Sequence, residues 1–274
     1  MLIDSHAHLD SERYTEDREA VLRRAWAAGV ETILSIGIGE NACEMGEALA
    51  ICRHFNALPE SGNGLPRLYA SAGVYPHNTP EINDEVLAAL DHLLAQPEVI
   101  ACGEIGLDYY HEGAPHDIQK EMLVKQMEVA AKNRRPILIH CRPKDGTTAA
   151  FDDLFTLLDA HWRSTGLGGI LHCFSGSAEQ ARRAIDLGFL ISFAGNLTYP
   201  RAQPLRDAAR AIPPESLVVE TDAPWLAPSS QRGKRNEPAL MVETAAVLAG
   251  LHGLSADQIA AQTTKNFQRL FQLG

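Results

Sequence analysis

The 274-residue chain contains no apolar run approaching the roughly 20 residues that a helix needs to cross a bilayer. Its first residues lack the basic segment and apolar stretch of a secretory leader, so the expectation is a cytoplasmic protein without a membrane partner. Cysteine is scarce. Cys43, Cys52, Cys102, Cys141 and Cys173 are odd in number and form no CxxC pair, which argues against a disulfide framework and against a zinc ribbon. Cys102, Cys141 and Cys173 fall in apolar runs and read as small core residues of a reducing compartment. Positive charge is also short, with 24 Lys and Arg against 35 Asp and Glu for a formal net charge of −11. That excludes a broad basic clamp on nucleic acid. It leaves open a nucleic-acid substrate held by a few local cations or by bound metal ions. No GxGxxG follows the first apolar run, as a dinucleotide-binding sheet would require, and no segment is of low complexity.

What the chain does have is a regular alternation. Its hydrophobic fraction of 45% suffices for a core. Eight short apolar runs read as strands: 2–6, 31–37, 68–74, 99–104, 137–140, 169–172, 189–193 and 217–221. Segments such as 17–28, 83–95, 118–133, 178–187 and 202–211 space apolar residues three and four apart, as amphipathic helices do. Two more helices are expected over 240–251 and 255–271, the second with Ser255 as its N-cap. Strands separated by helices pair in parallel through right-handed crossovers. Eight such units in this length fit one closed (β/α)₈ barrel domain over 1–274 better than an open doubly wound sheet. The Gly/Pro/Ser-rich stretch 58–67 precedes a strand and reads as an inert bottom-face loop.

A barrel gathers the C-terminal ends of its strands at one mouth. Here those ends carry His6 and His8, then Tyr75 and His77, then Glu104, His140, His172, and finally Glu220 and Asp222; strands two and seven bring no ionisable group. Residues at i and i+2 share a strand face, so His6 and His8 can grip one ion together, with Asp4 deeper on that face. Glu220 and Asp222 repeat the spacing across the barrel. Gly103 and Gly106 flank Glu104 and allow close approach. A lone HxH pair, or one histidine after an apolar run, is more often a satisfied core histidine than a ligand. Six coordination-competent side chains at strand ends are different, because burying them without a cation or a partner is costly. Four imidazoles and two carboxylates suffice for two divalent ions sharing Glu104. His54, His92, His161 and His252 read as surface residues. His111 and His116 read as solvent-exposed residues of a top-face loop, and Asp108 receives no role.

With these residues the chain resembles the TatD family of metal-dependent hydrolases along essentially its whole length. The resemblance rests on "DSHAHLD" at 4–10, "GEIGLDYY" at 103–110, "PILIHCR" at 136–142, "HCFSG" at 172–176, "ETDAPWLAP" at 220–228 and "RGKRNEP" at 232–238. It implies a TIM barrel, a divalent-metal site and nuclease activity on DNA. It also implies that His6, His8, Glu104 and Asp222 hold one ion, and that Glu104, His140 and His172 hold the second. The family usually shows His-Pro-His after the third strand, its first histidine contacting substrate phosphate. This chain has Tyr75-Pro76-His77, and a tyrosine donates a hydrogen bond but carries no positive charge near neutral pH.

The expected activity is hydrolysis of a phosphodiester, as in a 3'-5' exodeoxyribonuclease on single-stranded DNA, with two divalent ions (Zn²⁺, Mg²⁺ or Mn²⁺) activating a water. Asp222 and Glu104 are the expected catalytic residues, with Asp222 taking the proton. Glu220 supports the ligands from behind. Tyr75, His77, Arg232 and Arg235 are the expected substrate contacts. Arg232, Lys234 and Arg235 suit an anionic substrate, and the same charge run also fits a solvated loop. The competing enzymatic expectation is amide or ester hydrolysis, including aminoacyl-tRNA deacylation. The absence of a lysine beside Glu104 disfavours the subgroup bridged by a carboxylated lysine. A purely structural metal protein is disfavoured because such sites are usually closed. No obligate protein partner is evident.

Overall fold

The computed structural model describes residues 1–38 and 44–273; Cys43 lies outside them. Eight parallel strands pair in sequence order: β1 (Leu2–Ala7), β2 (Val30–Ser35), β3 (Arg67–Ala72), β4 (Val99–Asp108), β5 (Ile137–Arg142), β6 (Gly169–Leu171), β7 (Phe189–Phe193) and β8 (Leu217–Val219). Backbone bonds from His8 N to Ala223 O (2.8 Å) and from Asp222 N to His6 O (2.9 Å) bring the end of β8 back to β1. The expected (β/α)₈ barrel is therefore the fold observed. Between strands lie α1 (Arg18–Ala27), α2 (Glu47–Asn56), α3 (Asp84–Leu94), α4 (His116–Lys132), α5 (Ala149–His161), α6 (Ala178–Asp186) and α7 (Gln203–Ala211); α8 (Met241–His252) and α9 (Ala256–Phe271) follow β8. The helices α2 and α5 lack side-chain capping bonds at their N-termini, so their sequences carry weaker start signals. Ser255 caps α9 in a reciprocal capping box with Gln258.

The larger apolar layer packs the helices onto the outside of the barrel. The barrel interior is a separate cluster that includes Leu34, Ile100, Leu138, Ile170, Leu190 and Val218, to which α9 adds Phe267 and Phe271. Leu138, Ile170 and Val218 each stand two residues before a mouth residue: His140, His172 and Glu220. The alternation of strand faces thus puts an aliphatic floor directly beneath the polar mouth. The 58–67 loop joins α2 to the start of β3, at the opposite end of the barrel.

Register shifts mark the pairing of β1 with β2, of β3 with β4 and of β4 with β5, and two of them fall beside the central acid and the first histidines. The register shifts between Asp4 and Ala7 in β1 and between Cys102 and Ile105 in β4. Such irregularities re-aim side chains next to functional sites. Gly103 and Gly106 have φ of +155° and +149°, and a Cβ on either would strike the backbone of β5 at Leu138 or His140. Only glycine combines that conformation with that approach. These two residues seat β4 against β5 and so set Glu104 beside His140.

Candidate metal centre

Glu104 is 3% exposed and stands at the centre of the mouth. Its Oε1 lies 2.8 Å from His140 Nδ1 and 2.8 Å from His172 Nε2, and those two nitrogens are 3.3 Å apart. Its Oε2 lies 3.3 Å from His6 Nε2 and 3.8 Å from His8 Nε2. Asp222 Oδ1 closes the second group, 3.5 Å from His8 Nε2 and 3.8 Å from His6 Nε2, with the two histidine nitrogens 3.3 Å apart. The six residues expected at the mouth are therefore brought together, with His140 and His172 at Oε1 of the Glu104 carboxylate and His6 and His8, joined by Asp222, at Oε2.

The spacing tests whether ions fit. Three donors with edges of 3.3, 3.5 and 3.8 Å surround a point about 2 Å from each corner, which is the length of a Zn–N or Zn–O bond. The trio of Glu104 Oε1, His140 Nδ1 and His172 Nε2 is slightly tighter, with edges of 2.8, 2.8 and 3.3 Å, and its donor types would also hold such an ion. Four of the donor nitrogens face each other in pairs too long for good hydrogen bonds, yet His6, Glu104 and His172 are buried. Groups that can hold a cation also emerge as His6, His8 and Asp222, and as His6, Glu104 and His172. The donor set suits divalent cations.

Electrostatics follow from the packing. Burial works to raise the Glu104 carboxyl, but His172, His140 and His6 hold it well below the usual carboxylate range. Burial works to lower His172, but Glu104 and Glu220 push it well above the usual imidazole value. Burial together with the charge of His172 drives His6 down to about 4. His8, despite burial, is raised by Asp222 and Glu104.

The supports lie one layer out. Glu220 Oε1 accepts the Cys173 N–H (2.7 Å) and lies 3.3 Å from His172 Nδ1. Asp4 sits below His6 and accepts from the His6 and Thr221 N–H groups and the Thr221 hydroxyl; burial pushes its carboxyl up to about 7. Since β8 ends at Val219, Glu220 and Asp222 stand on irregular chain rather than on one strand face. Asp222 (φ +54°) and Cys173 (φ +42°) adopt left-handed conformations beside the ligands, a cost that such sites concentrate. Asn236 fixes the loop after β8, donating to Thr221 O (2.9 Å) and Trp225 O (2.6 Å).

Several expectations need correction. Asp108, given no role from sequence, is fully buried and its Oδ2 lies 3.3 Å from His140 Nε2, 2.8 Å from His111 Nδ1 and 3.3 Å from the Tyr75 hydroxyl, which donates to it. His111 is exposed as expected, but one ring nitrogen is engaged. Arg235 is not at the mouth: its guanidinium pairs with Asp17 (2.7 Å) and donates to Arg13 O. The "RGKRNEP" run is mainly a clasp, with Arg235 tying it to Asp17 at the N-cap of α1 and Asn236 tying it to the loop after β8. Arg232 alone of the pair faces a cavity, beside Tyr199, whose ring lies 4.7 Å below its guanidinium. That cavity and the metal pocket share Ser175 and Asn196. Cys102 is buried, whereas Cys141 and Cys173 are only partly so and line the metal pocket, a cavity of about 540 Å³. Tyr75 lines it too, its hydroxyl held neutral by burial and by Glu104 and Asp108.

The chain is matched by one protein family, described as TatD related DNase, over residues 3–272. It is similar to the uncharacterised metal-dependent hydrolase YabD of Bacillus subtilis, at 37% identity across all of both chains. It is also similar to the 3'-5' ssDNA/RNA exonuclease TatD of Escherichia fergusonii, at 33% identity over 98% of each. Among solved structures it resembles the TatD homologue YjjV of Escherichia coli, with a TM-score of 0.87 and 32% identity, over 100% of this chain and 98% of that one.

Proposed function

The chain belongs to the TatD-related DNase family of metal-dependent hydrolases, and from that premise we propose that it is a phosphodiesterase that removes nucleotides from the 3' end of single-stranded DNA with two divalent cations. The observation that carries the reading is Glu104, whose two oxygens face two separate sets of donors, His140 with His172 and His6 with His8 and Asp222. Zn²⁺ suits the imidazoles, and Mg²⁺ or Mn²⁺ suits the carboxylates and a phosphate substrate. The exonuclease description of a relative at 33% identity supports the choice of substrate.

Bound there, two divalent cations supply Lewis acidity to a phosphoryl oxygen and lower the pKa of water. The protein does the rest. Asp222 offers a carboxylate at the rim of the mouth, half-buried, and takes the proton of the attacking water. Glu104 stays ionised because three histidines surround it. Glu220 orients His172 through its far nitrogen, and Asp108 does the same for His140. The Tyr75 hydroxyl lines the pocket as a neutral contact to substrate, with His77 packed beside its ring, and Arg232 supplies the cation for an adjoining phosphate.

One observation favours a second reading, hydrolysis of a carboxyl ester or amide such as aminoacyl-tRNA. Tyr75 replaces a chargeable group by a neutral donor, which serves a carbonyl oxygen as well as a phosphate. A panel of single-stranded DNA, RNA, aminoacyl-tRNA and lactones, assayed with each metal after chelation, separates the two. The nuclease reading expects metal-dependent shortening of DNA from its 3' end; carboxyl ester cleavage without any action on nucleic acid would replace it.

A further inference from the structure

The loop after β4 and the turn after β3 meet in a third group of metal-competent side chains, outside the six residues already described: His77, Asp108 and His111. Asp108 Oδ2 lies 2.8 Å from His111 Nδ1 and 3.4 Å from His77 Nε2, and all three atoms fall within 4.8 Å of one another. The other oxygen, Oδ1, is taken by the N–H groups of Tyr110 and His111, which leaves Oδ2 to the imidazoles of His77, His111 and His140 and to the Tyr75 hydroxyl. Neither ring nitrogen of His77 makes a hydrogen bond, and both are closed to solvent. An imidazole placed beside a buried carboxylate without a hydrogen bond between them is not a settled ion pair. It is the arrangement of two donors aimed at a common point.

The ring of His77 is held there by backbone. Gly113 lies so close that any side chain at that position would collide with the ring at Nδ1. That leaves Nε2, on the opposite side of the ring, as the atom free to act. His111 is 56% exposed at its side chain, so the group opens to the pocket that His111 and Tyr75 both line.

We propose that His77, Asp108 and His111 form a third divalent-cation site. Two imidazoles and one carboxylate with an open side match the three-ligand sites that keep a position for water or substrate, and they favour an imidazole-accepting cation such as Zn²⁺. Asp108 Oδ2 also reaches His140 Nε2 at 3.3 Å, so this ion stands one imidazole away from the pair held by Glu104. In that place it completes its coordination with an oxygen of the substrate, a second phosphate beside the one being cleaved. The site thereby supplies positive charge where Tyr75 supplies none.

The test is metal content after equilibrium dialysis against Zn²⁺, comparing the full-length protein with the His77→Gln/His111→Gln double variant. The expected result is one equivalent fewer in the variant. The proposal is read from that difference, and the two-ion reading of the main site is read from the total that remains. Equal content in the two proteins would overturn the third site whatever that content is. The thermal midpoint of both proteins in chelator shows whether the variant folds. If it does not, zinc-edge anomalous scattering from crystals of the unaltered protein decides. A peak bonded to His77 Nε2, Asp108 Oδ2 and His111 Nδ1 supports the site, and saturated Glu104 sites with no peak there overturn it.

Discussion

Glu220 Oε1 lies 3.3 Å from His172 Nδ1, on the side of the ring away from Glu104, and the same oxygen accepts the Cys173 N–H at 2.7 Å. One buried carboxylate thus stands behind a metal-competent histidine and bonds the left-handed turn that follows it. Replacing Glu220 by Gln keeps an acceptor for Cys173 but removes the charge behind His172. The expected loss is about 10- to 100-fold in affinity for the ion held by His172, measured by titrating the chelated protein with Mn²⁺ or Zn²⁺.

Asp222→Asn leaves an oxygen for the metal side of the site and takes away the proton acceptor. Turnover on single-stranded DNA is expected to fall by about 10²- to 10⁴-fold while the thermal midpoint in chelator stays within a degree or two of the parent. Undiminished kcat would remove Asp222 from the role of base.

The metal-free protein has a pH signature that can be derived in sign. His172 is raised above its ordinary 6.5, so its stabilising contribution is complete below 6.5 and is lost as pH rises through its folded value. Glu104 is lowered below its ordinary 4.5, so its contribution is present above 4.5 and is lost as pH falls. Stability in chelator therefore peaks between these limits and declines on the alkaline side. Saturating metal reverses the alkaline trend, because cations bind the deprotonated imidazoles. Thermal melts across pH with and without Zn²⁺ check both slopes.

Gly106→Ala places a Cβ on the His140 carbonyl at a φ of +149°. The expected cost is about 1–3 kcal/mol of stability from overpacking, with metal affinity reduced as well because β4 and β5 carry Glu104 and His140. Urea melts and a metal titration read the two effects separately.

Tyr75→His introduces a chargeable group where the hydroxyl now lies 3.3 Å from Asp108 Oδ2. The ratio of phosphodiester to carboxyl ester cleavage is expected to rise by about tenfold, the effect of one added charge-assisted contact to phosphate. An unchanged ratio would show that Tyr75 does not select between the two bond types.

The barrel and the gathering of the six mouth side chains were legible because both rest on local periodicity. Apolar runs ending in His6, His140 and His172 share one geometry whatever the loops between them do. Asp108 was not legible for a related reason. The fourth apolar run reads as a strand over 99–104, whereas β4 continues to Asp108 with β5 packed against Gly103 and Gly106. Glu104 and Asp108 stand four residues apart on one face of a ten-residue strand, a spacing that would have pointed to Asp108 had the strand been read to its end. Arg235 misled for the opposite reason: its partner Asp17 is 218 residues away, and no local pattern reveals that pairing. Glu220 and Asp222 were matched with the right neighbours, although they reach them from an irregular segment rather than from a strand face.

The central claim is that two cations held about Glu104 cleave a phosphodiester. Its most direct measurement is the release of nucleotides from 5'-labelled single-stranded DNA by chelated protein reconstituted stepwise with Mn²⁺, alongside Glu104→Gln. The account predicts no cleavage in chelator, cleavage that rises with bound metal and shortens the strand from its 3' end, and no rescue of Glu104→Gln by added Mn²⁺. Failure of the fully metal-loaded protein to cleave DNA, or full activity in Glu104→Gln, would contradict it.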